Sequence, residues 1–128
     1  MSLLNQVKTK KVNKPLTVLF YGVHGIGKTS FAAGSENPIF VGVESNDEFD
    51  VPRFPKIVVW KNLVDQLTTL LNEKHDFKTV VIDTIDGLED VAQSEILSKH
   101  PGKTMETAMG GYGKAYSEME RMFLELRD

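Results

Sequence analysis

The stretch Gly22-Val23-His24-Gly25-Ile26-Gly27-Lys28-Thr29 lies between an apolar segment and a short helical pattern. It matches the spacing G-x-x-x-x-G-K-[ST] in full. Glycines in such a loop let the backbone bend around an anion with its N–H groups pointing inward. The lysine reaches the β- and γ-phosphates of a nucleotide, and the hydroxyl coordinates Mg²⁺. The stretch therefore predicts a phosphate-binding loop, because a plain glycine turn would not require Lys28.

This loop supplies most of the candidate site. Lys28 is predicted to act in catalysis as well as in binding, and Thr29 is predicted to bind Mg²⁺. His24 occupies a variable position of the pattern, and we expect it to be a spacer rather than a catalytic base. The predicted cofactor-binding residues are Gly22, Val23, His24, Gly25, Ile26, Gly27, Lys28, Thr29 and Ser30.

Length and composition are those of one ordinary globular domain. The chain has 128 residues and a formal net charge of −3, and no cysteine is present. Without cysteine, disulfide scaffolds, thiolate metal sites and cysteine catalysis are excluded. No apolar run is long enough to cross a membrane and no signal peptide is recognisable, so we expect a cytoplasmic protein without membrane partners.

Charge divides the chain at about residue 14. Four lysines and no acid occur in residues 1–14, which predicts a basic, flexible N-terminal arm ahead of a domain over residues 15–128. A frayed, solvated terminus is the favoured interpretation of this arm. The alternative is an arm that contacts phosphates.

Apolar runs alternate with helical patterns along the rest of the chain. The predicted strands are residues 16–21, 38–43, 56–60 and 79–82. The predicted helices are residues 28–33, a helix capped by Asn62, residues 86–100 and a last helix. One face of this last helix carries Tyr112, Ala115, Tyr116, Met119, Met122, Phe123 and Leu126. Continuous apolar strands separated by helices predict a mostly parallel sheet that is covered on both faces. The predicted class is three-layer α/β.

Two carboxylates follow predicted strands. Asp83 ends the run Val-Val-Ile-Asp, and a phosphate-loop protein needs a carboxylate at a strand tip to hold Mg²⁺ directly or through water. Glu44 ends the second strand at the same sheet edge, where it is a candidate to polarise an attacking water. The alternatives are a helix-capping acid for Asp83 and a solvated loop acid for Glu44. Thr84 is a candidate to orient water or a phosphate oxygen, and Asp86 is the expected cap of the next helix.

Together these features resemble the RecA-like ATPases, most closely the phage-encoded ATP-binding group related to RecA-type recombinases and single-strand annealing proteins. The resemblance rests on residues 21–29, Glu44, Trp60, residues 80–84 and the Gly-Tyr-Gly of residues 111–113. It implies ATP rather than GTP, a water-activating role for Glu44, and work on DNA in phage or prophage recombination or replication.

The resemblance also implies single-stranded DNA as a partner and a further strand that this chain lacks. The loop over residues 101–113 becomes a candidate contact for single-stranded DNA, through Lys103, Lys114 and Tyr112, although a mobile loop whose tyrosine packs on the core is the favoured alternative. In RecA-like folds a further strand lies between the loop strand and the Asp83 strand. We expect this chain to be a fragment that lacks the C-terminal strands and forms a homo-oligomer; direct pairing of the two strands, or a strand from a partner, are the alternatives.

Other function classes remain in competition. A small-molecule kinase usually supplies several lid arginines, whereas this chain has only Arg53, Arg121 and Arg127. A GTPase should carry Asn-Lys-x-Asp, and the only Asn-Lys pair is at residues 13–14, upstream of the loop. A nucleotide-binding module without turnover is the main non-enzyme alternative. No arginine is marked as a finger by its motif.

Overall fold

A computed structural model describes residues 2–127. Its helices and strands are, in chain order, α1 (Lys28–Ala33), β1 (Pro38–Val41), α2 (Trp60–Asn72), β2 (Thr79–Ile82), α3 (Ile85–Ser98) and α4 (Lys114–Arg127), with 3₁₀ turns at Leu3–Gln6 and Ala108–Gly110. The predicted α/β class is therefore confirmed in its coarse form. Further strands are not found among these residues, and the three-layer arrangement stays a prediction.

The sheet consists of two parallel strands. β1 pairs with β2 in the register Pro38 to Thr79 through Val41 to Ile82. Both strands are short apolar runs, as the sequence predicted, although β1 ends at Val41 rather than at residue 43. Parallel strands bring their carboxyl ends to one edge, so Glu44 and Asp83 follow β1 and β2 on the same side of the sheet.

Residues 56–60 were predicted to form a strand, and that prediction is wrong. The chain follows the outer edge of β1 over residues 52–57 instead, through backbone hydrogen bonds from Phe40 N to Pro52 O (3.0 Å), Phe54 N to Phe40 O (3.0 Å) and Ile57 N to Gly42 O (2.9 Å). Pro52 has no N–H to donate to β1, and the chain enters α2 at Trp60, so residues 56–60 do not extend the sheet.

The predicted strand at residues 16–21 is also absent from the sheet. Its residues are exposed and carry no regular structure, and Phe20 contacts Phe31 of α1 with ring centroids 4.8 Å apart. A strand forms only by pairing with a neighbouring strand, and no other described segment pairs with residues 16–21. Direct pairing between this segment and β2 is therefore not observed. Val80 and Ile82 of β2 are exposed as well.

Two connected clusters make up the core. One joins β1, α2 and α3 and contains Val41, Ile57, Leu63, Leu88 and Val91. The other lies between α3, the following loop and α4, and contains Ala92, Ile96, Met105, Ala108, Ala115 and Met122. Trp60 and Phe123 pack against both clusters, with their rings edge to face at 5.3 Å. The spacing of Leu88, Val91, Ala92 and Ile96 in the sequence predicts one apolar face for α3, and all four side chains are buried.

Helix ends differ from the predictions at two places. α2 begins at Trp60 with Val59 at its N-cap, so Asn62 lies one turn inside, where its Oδ1 accepts from Val58 N and Val59 N. α3 is capped by Thr84 rather than Asp86, since Thr84 Oγ1 accepts from Gly87 N at 3.1 Å. Asn62 therefore accepts from amides that precede α2 rather than from those of its first turn, and the cap of α3 lies two residues before the one expected.

Leu63 and Leu71 of α2 provide a test of this core. The sequence places both leucines on one helical apolar stripe, yet Leu63 is fully buried whereas Leu71 is 85% exposed. We expect Leu63→Ala to lower the free energy of unfolding by about 2–5 kcal/mol. The matched Leu71→Ala should change it by no more than about 0.5 kcal/mol. Urea unfolding followed by circular dichroism measures both, and equal losses would contradict the packing described.

Candidate functional site

The phosphate-loop sequence forms an open, exposed turn in front of α1. Gly25 and Gly27 have φ angles of 84° and 101°, which are readily adopted only by glycine, and a Cβ at either position would contact nothing within 4 Å. Backbone conformation rather than space therefore explains these two glycines. His24 and Gly25 form no hydrogen bond within residues 2–127, so their N–H groups are free to meet an anion.

Lys28 folds back over the start of this loop. Its Nζ donates to the carbonyl oxygens of Gly22 at 2.6 Å and Val23 at 3.0 Å. The ammonium thus lies at the loop itself rather than in bulk solvent. An incoming phosphate would meet a cation already held beside the backbone amides.

Thr29 and Asp83 meet across the site. The Thr29 hydroxyl donates to Asp83 Oδ2 at 2.9 Å, and the two residues lie 54 positions apart in the sequence. Both side chains are partly buried. The pair that the sequence predicted as Mg²⁺ ligands is therefore brought into direct contact.

The chemistry of this pair fits Mg²⁺. Hydroxyl and carboxylate oxygens are the ligands that this ion takes, usually together with substrate phosphates and water. In the part of the chain that the structure describes, no group of three or more His, Cys, Asp or Glu side chains is arranged to hold a metal. Two protein oxygens suit an ion that is bound together with a nucleotide rather than by an all-protein cage.

Glu44 lies at the same edge through its main chain. Its N–H donates to the carbonyl oxygen of Asp83 at 3.4 Å, and the residue is exposed. The peptide bond between Asp83 and Thr84 is cis. Thr84, a candidate to orient water, uses its hydroxyl oxygen to cap α3. The structure therefore brings Glu44, Asp83 and Thr29 to one edge, with Thr84 committed to the helix that leads away.

The loop between α3 and α4 is anchored in the core. Met105 and Ala108 are buried, and the backbone then passes through positive φ angles at Met109 (58°) and Tyr112 (56°) as well as at three glycines. Tyr112 is 100% exposed and precedes α4. The expectation that this tyrosine packs on the core is wrong, and so is its place on the helix face. No periodicity signal distinguishes a residue held in the left-handed region from one that continues a helix.

Glu106 and Tyr116 connect this loop to α4. The Tyr116 hydroxyl donates to Glu106 Oε1 at 2.8 Å. This hydrogen bond lowers the pKa of Glu106 and raises the pKa of Tyr116 from their ordinary values, because it stabilises the charged carboxylate and the protonated phenol. This exposed bond joins the loop to α4, beside the buried contacts of Met105 and Ala108.

Two arginines are engaged away from the loop. Arg53 donates to the carbonyl oxygens of Phe49 and Val51 and pairs with Asp47. Arg121 pairs with Glu118 and Glu125 on its own helix, and these carboxylates raise its pKa. These contacts give neither residue a role in the phosphate site.

Fold and site together define a class of protein. A parallel sheet, with a phosphate-loop sequence ahead of it and a strand-end carboxylate bonded to the loop threonine, is compatible with a P-loop nucleotide-binding domain. The family model described as "AAA domain" matches residues 14–128. The chain belongs to this family and is an AAA-type, P-loop ATPase-like domain. AAA domains usually bind ATP with Mg²⁺.

Neither a curated protein nor a solved structure matches the chain. Family membership therefore supports the general activity, and the roles of individual residues rest on the geometry of the site. No helix within residues 2–127 has the length and apolar character needed to cross a membrane.

Proposed function

We propose that this domain binds ATP with Mg²⁺ and hydrolyses it. The hydrogen bond between Thr29 and Asp83 is the observation that supports the proposal best. It brings together the hydroxyl and the carboxylate that a nucleotide-bound Mg²⁺ needs, and it does so beside a loop with free amides and a lysine.

Each residue has a stated part in this proposal. The amides of the loop and the Lys28 ammonium bind the phosphates, and Thr29 and Asp83 hold the metal. Mg²⁺, when bound, neutralises charge on the phosphate oxygens. Glu44 orients a water molecule and accepts its proton at the carboxylate, from a position next to the main chain of Asp83.

We further propose a RecA-like role in phage or prophage DNA recombination or replication. The order of features along the chain supports this: phosphate loop, Glu44 after one strand, Asp83 after its parallel neighbour, then the loop with Tyr112. The three-layer sheet belongs to the same proposal. The exposed side chains of Val80 and Ile82 and the unpaired segment at residues 16–21 leave room for further strands and a second layer.

Single-stranded DNA and a second copy of the chain are the proposed partners. Tyr112 offers a fully exposed ring on a core-anchored loop, with Lys103 and Lys114 nearby in sequence. Exposed aromatic rings beside cations stack on successive bases and neutralise the backbone. A homo-oligomer fits the apolar surface that remains exposed, and a cytoplasmic location fits the proposed work on DNA.

Lys28→Ala tests nucleotide binding. We expect wild-type protein to bind Mg²⁺-ATP in titration calorimetry and the variant to lose measurable binding, because the ammonium is the only side-chain cation held at the loop in residues 2–127. Lys103→Ala is the matched control and should bind as the wild type does. Equal binding by wild type and Lys28→Ala would contradict the proposal.

Analysis of the reaction products formed by the wild-type protein with Mg²⁺-ATP distinguishes an ATPase from the other candidate activities. Phosphate release supports an ATPase, whereas transfer to a small acceptor would identify a kinase. Binding without release would identify a nucleotide-binding module, and a preference for guanine nucleotides would identify a GTPase.

Tyr112→Ala tests the DNA partner. Loss of one stacked base costs about 1–3 kcal/mol, so affinity for a single-stranded oligonucleotide should fall by about 5- to 150-fold. Tyr112→Phe retains the ring and should bind nearly as tightly as wild type. Fluorescence anisotropy with a labelled oligonucleotide measures all three proteins. An unchanged affinity in Tyr112→Ala would remove this loop from the proposal and leave the nucleotide site untouched.

A further inference from the structure

The end of β1 and the main chain of Asp83 approach each other more closely than a side chain would allow. A Cβ built on Gly42 would lie 1.9 Å from the carbonyl oxygen of Asp83 and 2.6 Å from its carbonyl carbon. Real Cβ atoms do not approach other atoms to these distances. The obstacle is backbone, so no rotamer change in a neighbour would relieve it.

Gly42 is also held from its other side. Its carbonyl oxygen accepts from the N–H of Ile57 at 2.9 Å, and Ile57 is buried in the core cluster of β1, α2 and α3. A shift of Gly42 away from Asp83 would therefore strain its bond to Ile57. Any side chain at position 42 must displace either Asp83 or the core-anchored segment that carries Ile57.

Hydrogen bonds near Gly42 hold the main chain of Asp83, whose carboxylate belongs to the proposed metal site. Asp83 N donates to Val41 O at 3.0 Å, and Glu44 N donates to Asp83 O at 3.4 Å, so the residues on both sides of Gly42 bond to the Asp83 main chain. The Asp83 side chain then reaches Thr29. A displacement of this backbone would be passed directly to the carboxylate.

Gly87 has a related place at the start of α3. A Cβ there would lie 2.1 Å from Val43 Cγ2 and 3.3 Å from Thr84 Oγ1, next to the bond from Gly87 N that caps the helix. Here the nearest obstacle is a side chain, which can move. Of the two close approaches, only the one at Gly42 bears directly on Asp83.

We propose that Gly42 is a positioning residue that sets the Asp83 carboxylate against Thr29 and thereby determines the Mg²⁺-dependent part of nucleotide binding. This inference rests on the proposed function, since it assigns Gly42 a role in the same site. Gly42 itself offers no ligand atom to the metal. It acts by permitting a main-chain contact that other residues exclude.

Titration calorimetry with ATP, in Mg²⁺ and in EDTA, tests the inference. In Gly42→Ala we expect the gain in ATP affinity on adding Mg²⁺ to fall by about 10- to 100-fold, the usual effect of disturbing the groups that orient metal ligands. Binding in EDTA should remain at the wild-type level, because the loop amides and Lys28 are not altered. Gly34→Ala is the control, since its φ of −83° suits alanine and its closest contact would be an ordinary 3.4 Å.

The outcomes distinguish this inference from the function on which it rests. A wild-type protein that does not bind ATP would overturn the proposed function itself. A wild type that gains affinity with Mg²⁺, beside a Gly42→Ala variant that gains equally, would overturn only the role of Gly42.

The substitution Asp83→Glu, which lengthens the side chain, distinguishes a displaced carboxylate from a general loss of structure. In the Gly42→Ala background, Asp83→Glu should recover part of the Mg²⁺-dependent gain, because one extra methylene compensates for a backbone that has moved away. In the otherwise wild-type chain the same substitution should reduce the gain. A reduction in both backgrounds would contradict the inference.

Hydrogen exchange on the wild-type chain covers the case in which Gly42→Ala fails to fold, as judged by circular dichroism. The amide hydrogens of Asp83 and Glu44 should exchange more slowly with Mg²⁺ and ATP than with ATP and EDTA. The metal would hold the Asp83 side chain and so stabilise the hydrogen bonds of these two amides. Exchange that Mg²⁺ leaves unchanged at both amides would overturn the inference.

Discussion

The hydrogen bond between Thr29 and Asp83 is the contact on which the site depends. α1 buries none of its residues, and the segment before it is exposed and outside the sheet. Within residues 2–127, the hydrogen bond that ties α1 to the sheet edge runs from the Thr29 hydroxyl to the Asp83 carboxylate. Bonds of this charge-assisted kind are stronger than neutral ones, and this bond joins two groups that one Mg²⁺ would use.

The sheet edge is built more firmly than the loop. Asp83 follows β2, and its main chain forms hydrogen bonds with Val41 and Glu44, while residues 52–57 lie along the other edge of β1. One half of the site is thus held by buried structure, and the other half is an exposed loop. This division is typical of binding sites that join a rigid scaffold to a loop.

Much of this arrangement could be predicted from the sequence, because it depends on local patterns. Three such patterns predict the element in which they occur: the spacing of the phosphate loop, the apolar run that ends at Asp83, and the apolar face of α3. The failures depend on distant partners. Residues 16–21 have the composition of a strand, yet a strand requires a neighbour, and composition does not show which one is present. The strand expected at residues 56–60 is instead an irregular segment that leads into α2 at Trp60, although its apolar composition suits a strand.

Tyr112 and Gly42 show the same limit at single residues. The spacing of Tyr112 fits the apolar face of the last helix, but its backbone lies in the left-handed region and its ring is fully exposed. Gly42 lies within an apolar run, where a glycine indicates only a weak strand position or a close approach. The partner in that approach, the carbonyl of Asp83, lies 41 residues away in the sequence, beyond the range of any local pattern.

A double-mutant cycle on Mg²⁺-ATP binding tests the central claim most directly. Thr29→Val, Asp83→Asn and the double variant would be compared with wild type by calorimetry. If the two side chains hold one metal ion, the second substitution should add little once the first is made, with a coupling of about 0.5–3 kcal/mol. Strictly additive losses would mean that Thr29 and Asp83 act independently, and would contradict a metal site shared between them.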